Sequence, residues 1–168
     1  LRDGVTFHNG DPVTSEDVRY SIRRVETEEV GGALPQDGDL AGSKALENVD
    51  AGDGEVTVTF GGLNPIVFAL FATNGQIMQQ SWVENNENSY INRNTNGTGP
   101  FRVTGYQSGT SVSYEKYEDY WGEPAAADEA TITASSESAT RVNQLVAGET
   151  DIVTNVPPQE ISRVESSE

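Results

Sequence analysis

The chain has 168 residues, no cysteine, and 27 acidic residues against 10 basic ones, which gives a net charge of −17. This length is enough for one domain with a hydrophobic core. Such negative charge repels nucleic-acid backbones and anionic membranes, and the lack of thiols excludes disulfides, cysteine nucleophiles and zinc–thiolate sites. Regular apolar alternation along the chain argues against disorder. We therefore expect a folded domain without nucleic-acid partners.

The acidic excess is also typical of a surface adapted to concentrated salt. Dense charge of one sign destabilises a compact fold by self-repulsion, and salt screens that repulsion. We therefore expect a halophilic source and loss of structure below roughly molar salt. The chain contains no apolar run long enough to span a membrane and no signal-peptide pattern. Its ends lie within patterned sequence, so we expect it to be an internal piece of a longer protein.

The first half of the chain is predicted to contain short strands and helices. Thr14 and Asp17 match a capping box that begins a helix, and Val18 and Ile22 then fall on one face of that helix. Residues 56–60 alternate between apolar and threonine side chains, as in a half-buried strand. The predicted elements are a strand over Val5 to Phe7, a helix over about Ser15 to Val25, a long loop over 28–43, strands over Ala45 to Val49 and Glu55 to Phe60, a helix entered by Asn64 and Pro65, and a short helix over Ser81 to Asn86.

The second half is predicted to begin with a hairpin. Phe101 to Tyr106 and Val112 to Tyr117 read as its two strands, and Gly148 is a typical helix C-cap. The remaining predicted elements are a strand over Ala130 to Ala134, a helix over Glu137 to Ala147, a strand over Asp151 to Val153 and a helix opened by Pro157 and Pro158. The sum is an α/β (mixed α+β) fold with a largely antiparallel sheet and flanking helices.

Catalytic and metal-binding patterns are weak throughout. The chain has no phosphate-binding loop, and its single histidine, His8, sits beside a turn without the sequence context of a catalytic triad. Residues 50–55 lack the alternating ligand positions of a calcium loop. With so many carboxylates, close acidic pairs are expected by chance. We therefore predict no catalytic residue, no metal ligand and no cofactor.

A group of aromatic residues lies on and after the predicted hairpin. It allows two interpretations: a set of core and cross-strand side chains, or a stacking platform for sugars. The second would suit a secreted carbohydrate-binding or carbohydrate-active protein, and a third interpretation is a surface structural module without a small ligand. Burial of Tyr120 and Trp121 would favour the packed set, and exposure of these two residues would favour the sugar platform. The group consists of Tyr106, Tyr114, Tyr117, Tyr120 and Trp121.

Four ordered segments resemble the family 5 extracellular solute-binding proteins, which are dipeptide-, oligopeptide- and nickel-binding receptors of ABC importers. Residues 1–18, LRDGVTFHNGDPVTSEDV, are similar to that family's LRDGVKFHDGxPLTAEDV signature. Residues 96–101, NGTGPF, resemble its GTGPY/F turn, and residues 117–122, YEDYWG, resemble NxxYWG. Residues 139–153, ATRVNQLVAGETDIV, resemble ATRxxALxxGEIDI.

This resemblance implies a binding protein, not an enzyme, with a periplasmic-binding-protein-like fold of two lobes that close on a ligand. Residues 1–168 would form part of the first lobe, without its N-terminal strands, the hinge or the second lobe. The full-length parent would be extracytoplasmic, at the cell surface and lipid-anchored, and would deliver peptides or other small solutes to a membrane permease. For the piece alone we expect weak or no binding, and pairing between copies in a crystal.

Two segments are expected to line the ligand cleft from their positions in the family. One is the loop over 31–36, and the other is 72–76, with Thr73, Asn74 and Gln76 as candidate ligand-binding residues. Nickel-binding relatives carry an arginine near the second segment, whereas this chain has only small polar residues there. This favours peptides, which can be held through main-chain hydrogen bonds. An ordinary polar loop is the alternative for these three residues.

Overall fold

The computed structural model describes residues 1–24, 46–63, 65 and 67–167. The predicted loop over 28–43, with its candidate segment 31–36, lies outside the described residues, as do Val25, Ala45 and Asn64. Among the described residues, no helix has the length and apolar character needed to cross a bilayer. In chain order, the elements are α1 (Ser15–Arg24), β1 (Leu46–Ala51), β2 (Val56–Phe60), α2 (Val67–Asn74), α3 (Gln80–Glu84), α4 (Asn88–Ile91), β3 (Phe101–Gln107), β4 (Ser111–Lys116), β5 (Glu129–Thr133), α5 (Ser138–Val146), a single 3-10 turn (Pro158–Glu160) and α6 (Ile161–Glu165).

The strands of the described residues form two antiparallel sheets. β1 and β2 pair as a hairpin in which Val49 lies opposite Val58, and β3, β4 and β5 form a second sheet in that order. Both predicted hairpins are therefore present, with helices beside them. The mixed α/β class and its largely antiparallel pairing are confirmed.

Helix α1 begins with the predicted capping box. The Thr14 N–H donates to Asp17 Oδ2 at 3.0 Å, and the Asp17 N–H donates back to Thr14 Oγ1 at 3.2 Å. This reciprocal pair satisfies backbone donors that the first helical turn leaves without partners. The apolar face of α1 then packs on the β1–β2 hairpin through Ile22 and Val49, which are 5% and 4% exposed.

Helix α5 ends where the sequence predicts. Gly148 adopts a positive φ of 71°, its N–H bonds to the carbonyl of Leu145, and the Glu149 N–H reaches the carbonyl of Gln144. These two bonds form a Schellman motif, which requires the left-handed conformation that glycine adopts without strain. Val142, on the inward face of the same helix, is fully buried.

Two predicted strands are not strands in the structure. Val5 to Phe7 forms only the single bridge from Thr6 to Pro12, because the chain turns directly after it: the Gly10 N–H bonds to the Phe7 carbonyl and the Asp11 N–H donates to Asn9 Oδ1. Asp151 to Val153 pairs with no described strand, and Ile152 is 84% exposed. Short apolar runs become strands only where a neighbour supplies the hydrogen bonds. The short helix α4 was not predicted.

Candidate ligand-binding segment

The segment Ala72 to Gln76 forms the end of α2 and the turn that leaves it. Thr73 Oγ1 donates to the Ala69 carbonyl at 2.9 Å, and Gln76 Nε2 donates to the Thr73 carbonyl at 2.7 Å. The structure thus brings Thr73 and Gln76 together at one exposed helix end. The third candidate, Asn74, is the last residue of α2, and its side chain lies outside the description.

The turn after Asn74 is tightly constrained. The Gly75 N–H bonds to the Phe71 carbonyl at 2.9 Å, and a Cβ on Gly75 would lie 2.5 Å from that same oxygen. Only glycine fits so close an approach to backbone. The peptide groups of Gln76 and Ile77 that follow make no hydrogen bond to any described residue.

The next residues are held firmly by α1. The Met78 N–H donates to Ser21 Oγ at 2.8 Å, and the Ser21 hydroxyl lies 3.2 Å from the Met78 carbonyl. The Gln80 N–H, at the start of α3, donates to Asp17 Oδ1 at 2.8 Å. Asp17 and Ser21 are both buried. Asp17 therefore uses one carboxylate oxygen to cap α1 and the other to anchor α3.

Between these anchors, the buried side chain of Gln79 joins a polar network with Asn96, which is also buried, and with the exposed residues Asn9 and Asp11. Its Oε1 accepts from Asn9 Nδ2 at 2.9 Å and from Asn96 Nδ2 at 2.7 Å. Its Nε2 donates to Asp11 Oδ2 at 2.7 Å. Because each bond connects residues far apart in sequence, the network fixes the loop before α1 and the turn before β3 against the start of α3.

The glycine-rich turn before β3 packs on the N-terminal segment. The His8 N–H bonds to the Gly97 carbonyl at 2.9 Å, and His8 Nε2 lies 3.0 Å from the Gly99 carbonyl. The imidazole meets the Tyr117 ring edge-on, with centroids 4.9 Å apart. His8 thus has a structural position in this turn, consistent with the absence of a triad pattern around it.

Trp121 lies on the outside of the same turn. Its Nε1 donates to the Thr98 carbonyl at 2.9 Å, the Arg2 guanidinium lies 4.6 Å from the ring centroid, and the Tyr120 ring is 5.0 Å away. The indole is 39% exposed. Sugar stacking needs an open ring face, and these contacts occupy the N–H and one face of Trp121. By its exposure Trp121 meets the requirement of a sugar platform, whereas its contacts to Thr98, Arg2 and Tyr120 are those of a packed side chain.

Sequence reasoning missed the residues that hold the segment in place. Asp17 was identified as part of a capping box, which accounts for one of its oxygens only. Met78 lies 57 positions from Ser21, and the partners of Gln79 lie 17 to 70 positions from it, so no local pattern indicated them. Among the described residues, no group of three or more histidine, aspartate or glutamate side chains is placed to bind a metal ion.

Comparison with known proteins identifies the family of the chain. The model of bacterial extracellular solute-binding proteins, family 5 Middle, matches residues 1–168. The chain belongs to family 5. Its family 5 relatives include the nickel-binding protein NikA of Staphylococcus aureus, 22% identical over 170 residues, and the probable D,D-dipeptide-binding periplasmic protein DdpA of Escherichia coli, 27% identical over 169 residues. These alignments cover 100% and 96% of this chain but 32% and 31% of the two relatives.

Solved structures of the family share the fold. The binding protein MoaA of A. tumefaciens R10, in complex with mannopinic acid, superimposes with a TM-score of 0.83 at 24% identity over 99% of this chain and 33% of its own. S. aureus NikA in complex with Ni(L-His)2 gives a TM-score of 0.77 at 24% identity, over 99% of this chain and 33% of its own. The chain thus spans about a third of the length of the relatives it matches.

Proposed function

We propose that the polypeptide carrying this chain is the solute-binding component of an ABC importer. It binds peptides outside the cytoplasmic membrane and passes them, chemically unchanged, to a membrane permease. The observation that carries this proposal is the family 5 match over every residue of the chain. Residues 1–168 would form part of the first of two lobes, and the lobes would close on the ligand by a hinge motion.

Peptide as the solute class is supported by the chemistry of the segment 72–76 and the residues after it. The candidates Thr73 and Gln76 are uncharged, and the adjacent peptide groups of Gln76 and Ile77 make no hydrogen bond within the described residues. An extended peptide can be held through its own backbone groups whatever its side chains are. Metal chelates and opines, the ligands in the NikA and MoaA structures, are the competing solute classes.

A thermal-shift and calorimetry screen of the complete polypeptide tests the proposal. Separate samples receive mixed di- and tripeptides, nickel with L-histidine, or mannopinic acid. A ligand at about 100 times its Kd stabilises the native state by about 2.7 kcal/mol, which is readily seen as a raised melting temperature. We expect this rise with peptides. If only the nickel complex or mannopinic acid raises the melting temperature, peptides are not the solute class. If no solute raises it, the proposed receptor function is wrong.

Single substitutions then test the candidate residues. Gln76→Ala and Thr73→Ala should each weaken peptide binding about 5- to 10-fold if the side chain contacts the ligand, the effect of losing one hydrogen bond. Gln107→Ala and Thr131→Ala remove the same side chains from exposed positions on the second sheet and should leave the Kd unchanged. Asn74→Ala tests the third candidate residue by the same measurement of the Kd. Equal Kd values for the segment variants and their controls would show that 72–76 is an ordinary polar loop.

A further inference from the structure

The strongest feature outside the candidate residues is the way α1 holds the chain just after them. Ser21 bonds the Met78 N–H and lies within reach of the Met78 carbonyl, and Asp17 bonds the Gln80 N–H. Ser21 is 5% exposed and Asp17 is 6% exposed. Two backbone N–H groups within three residues, those of Met78 and Gln80, are thus fixed by two buried side chains of one helix.

These anchors restrict the candidate segment from one side, and α2 restricts it from the other. Gly75 is bonded to Phe71 at the end of α2, and the next anchored residue is Met78. Only Gln76 and Ile77 lie between the two fixed points. A loop held at both ends loses little conformational entropy when a ligand binds, so its affinity is higher than that of the same residues in a loose loop.

We propose that Ser21 and Asp17 are positioning residues that set the course of residues 75–80 and so present Thr73 and Gln76 to the bound peptide. This inference rests on the proposed function. Neither side chain touches the segment 72–76 itself in the described contacts. Both act through Met78 and Gln80.

Amide hydrogen exchange on the chain tests the positioning directly. In Ser21→Ala the Met78 N–H loses its acceptor, so we expect its exchange, and that of the Gly75 N–H, which is bonded to the Phe71 carbonyl, to accelerate about tenfold or more. Amides of the β3–β4 ladder should keep their wild-type rates. Ser21→Thr retains the hydroxyl and should retain the protection of Met78, which covers the case in which Ser21→Ala does not fold. Uniform acceleration throughout the chain, or no acceleration at Met78, would overturn the proposal.

Peptide affinity of the complete polypeptide gives the second readout. Ser21→Ala should raise the Kd about tenfold, mainly through a faster off-rate, because the loop must be ordered on binding. Tyr117→Phe serves as a matched control, since it removes a buried hydrogen bond to Phe7, has no described contact with residues 72–80 and should leave the Kd unchanged. An unchanged Kd in Ser21→Ala, or an equal rise in both variants, would overturn the positioning role.

The two proposals fail in different ways. If the wild type binds no peptide, the proposed function is wrong, and the exchange data alone decide the positioning role. Acceleration confined to Gly75 and Met78 in Ser21→Ala would then still show that Ser21 orders this stretch of backbone. If the wild type binds peptide and Ser21→Ala binds equally well, the receptor function stands and the positioning role is wrong.

Discussion

The phenol of Tyr117 donates a 3.1 Å hydrogen bond to the backbone carbonyl of Phe7, 110 residues earlier in the chain. Phe7 is fully buried and Tyr117 is 8% exposed, so the bond is shielded from water. The Tyr117 N–H also bonds to the Pro100 carbonyl at 2.9 Å. Tyr117, the first residue of segment 117–122, therefore joins that segment to the N-terminal segment 1–18 and the glycine-rich turn 96–101, which are three of the four segments that resemble the family.

Tyr117→Phe should destabilise the fold by about 0.5–1.5 kcal/mol, because the buried Phe7 carbonyl loses one of its two donors and keeps the Gly10 N–H at 2.8 Å. For a protein of this size the melting temperature should fall by roughly 2–4 °C per kcal/mol. Tyr106→Phe is the matched control, since Tyr106 is 43% exposed on β3. Calorimetry that gives equal melting temperatures for the two variants would contradict the assigned role of the bond.

Gly75 and Gly99 should respond in opposite ways to alanine. A Cβ on Gly75 would lie 2.5 Å from the Phe71 carbonyl oxygen, whereas a Cβ on Gly99 would meet nothing within 4 Å. Gly75→Ala must therefore move backbone at the end of α2 and should cost about 1–3 kcal/mol. Gly99→Ala should change the free energy of unfolding by less than about 0.5 kcal/mol. Urea unfolding of both variants measures the difference, and a larger loss for Gly99→Ala would refute the prediction.

The pair of Lys116 and Asp128 should titrate outside the usual range. Their hydrogen bond is 2.7 Å long, and it lowers the pKa of Asp128 below 3.8 and raises the pKa of Lys116 above 10.5. The contribution of Asp128 to stability is therefore present above its unfolded pKa and is lost as the pH falls through the lower folded pKa. The contribution of Lys116 is present below its unfolded pKa and is lost as the pH rises through the higher folded one.

Carboxyl NMR titration checks this pair. The Asp128 midpoint should lie below 3.8 in the wild type and rise toward that value in Lys116→Met, which removes the donor. Glu118→Gln is the control, because Glu118 is a more distant partner of the same lysine, at 3.5 Å. Its Asp128 midpoint should stay near that of the wild type. A wild-type midpoint at or above 3.8 would be inconsistent with the bond.

Local patterns in the sequence were sufficient for most elements of this fold. The capping box at Thr14, the C-cap at Gly148 and the alternation in β2 each depend on residues within a few positions of one another. The failures at Val5 to Phe7 and Asp151 to Val153 share a different cause. A strand exists only if a neighbour pairs with it, and no local pattern shows whether that neighbour is present.

The candidate site was less accessible from sequence for the same reason. Thr73 and Gln76 were chosen by their place in the family, and the structure does bring them together. The residues that fix the following turn, Ser21 and Asp17, are 57 and 63 positions away from their partners. The sequence motif indicated the glycines of the turn 96–101. In the structure an added Cβ would be closer to its neighbours at Gly75, at 2.5 Å, than at Gly97, at 3.6 Å, or at Gly99, where nothing lies within 4 Å.

With a net charge of −17, most acidic side chains of this chain have no basic side chain to pair with. Described ion pairs include Arg19 with Glu16, Arg102 with Glu115, and Arg163 with Glu160. Even if every one of the 10 basic side chains paired once, 17 of the 27 acidic groups would have no basic partner of their own. Their mutual repulsion opposes folding wherever it is not screened.

We therefore expect the melting temperature to rise steeply with salt. Screening lengths shorten from about 10 Å at 0.1 M to about 3 Å at 1 M, so most of the gain should appear within this range. Circular dichroism in potassium chloride measures it, with sucrose as a control that stabilises by exclusion without screening charge. A halophilic adaptation requires that secondary structure be lost after dialysis into dilute buffer. An unchanged spectrum there, or an equal gain in sucrose, would show that self-repulsion does not limit this fold.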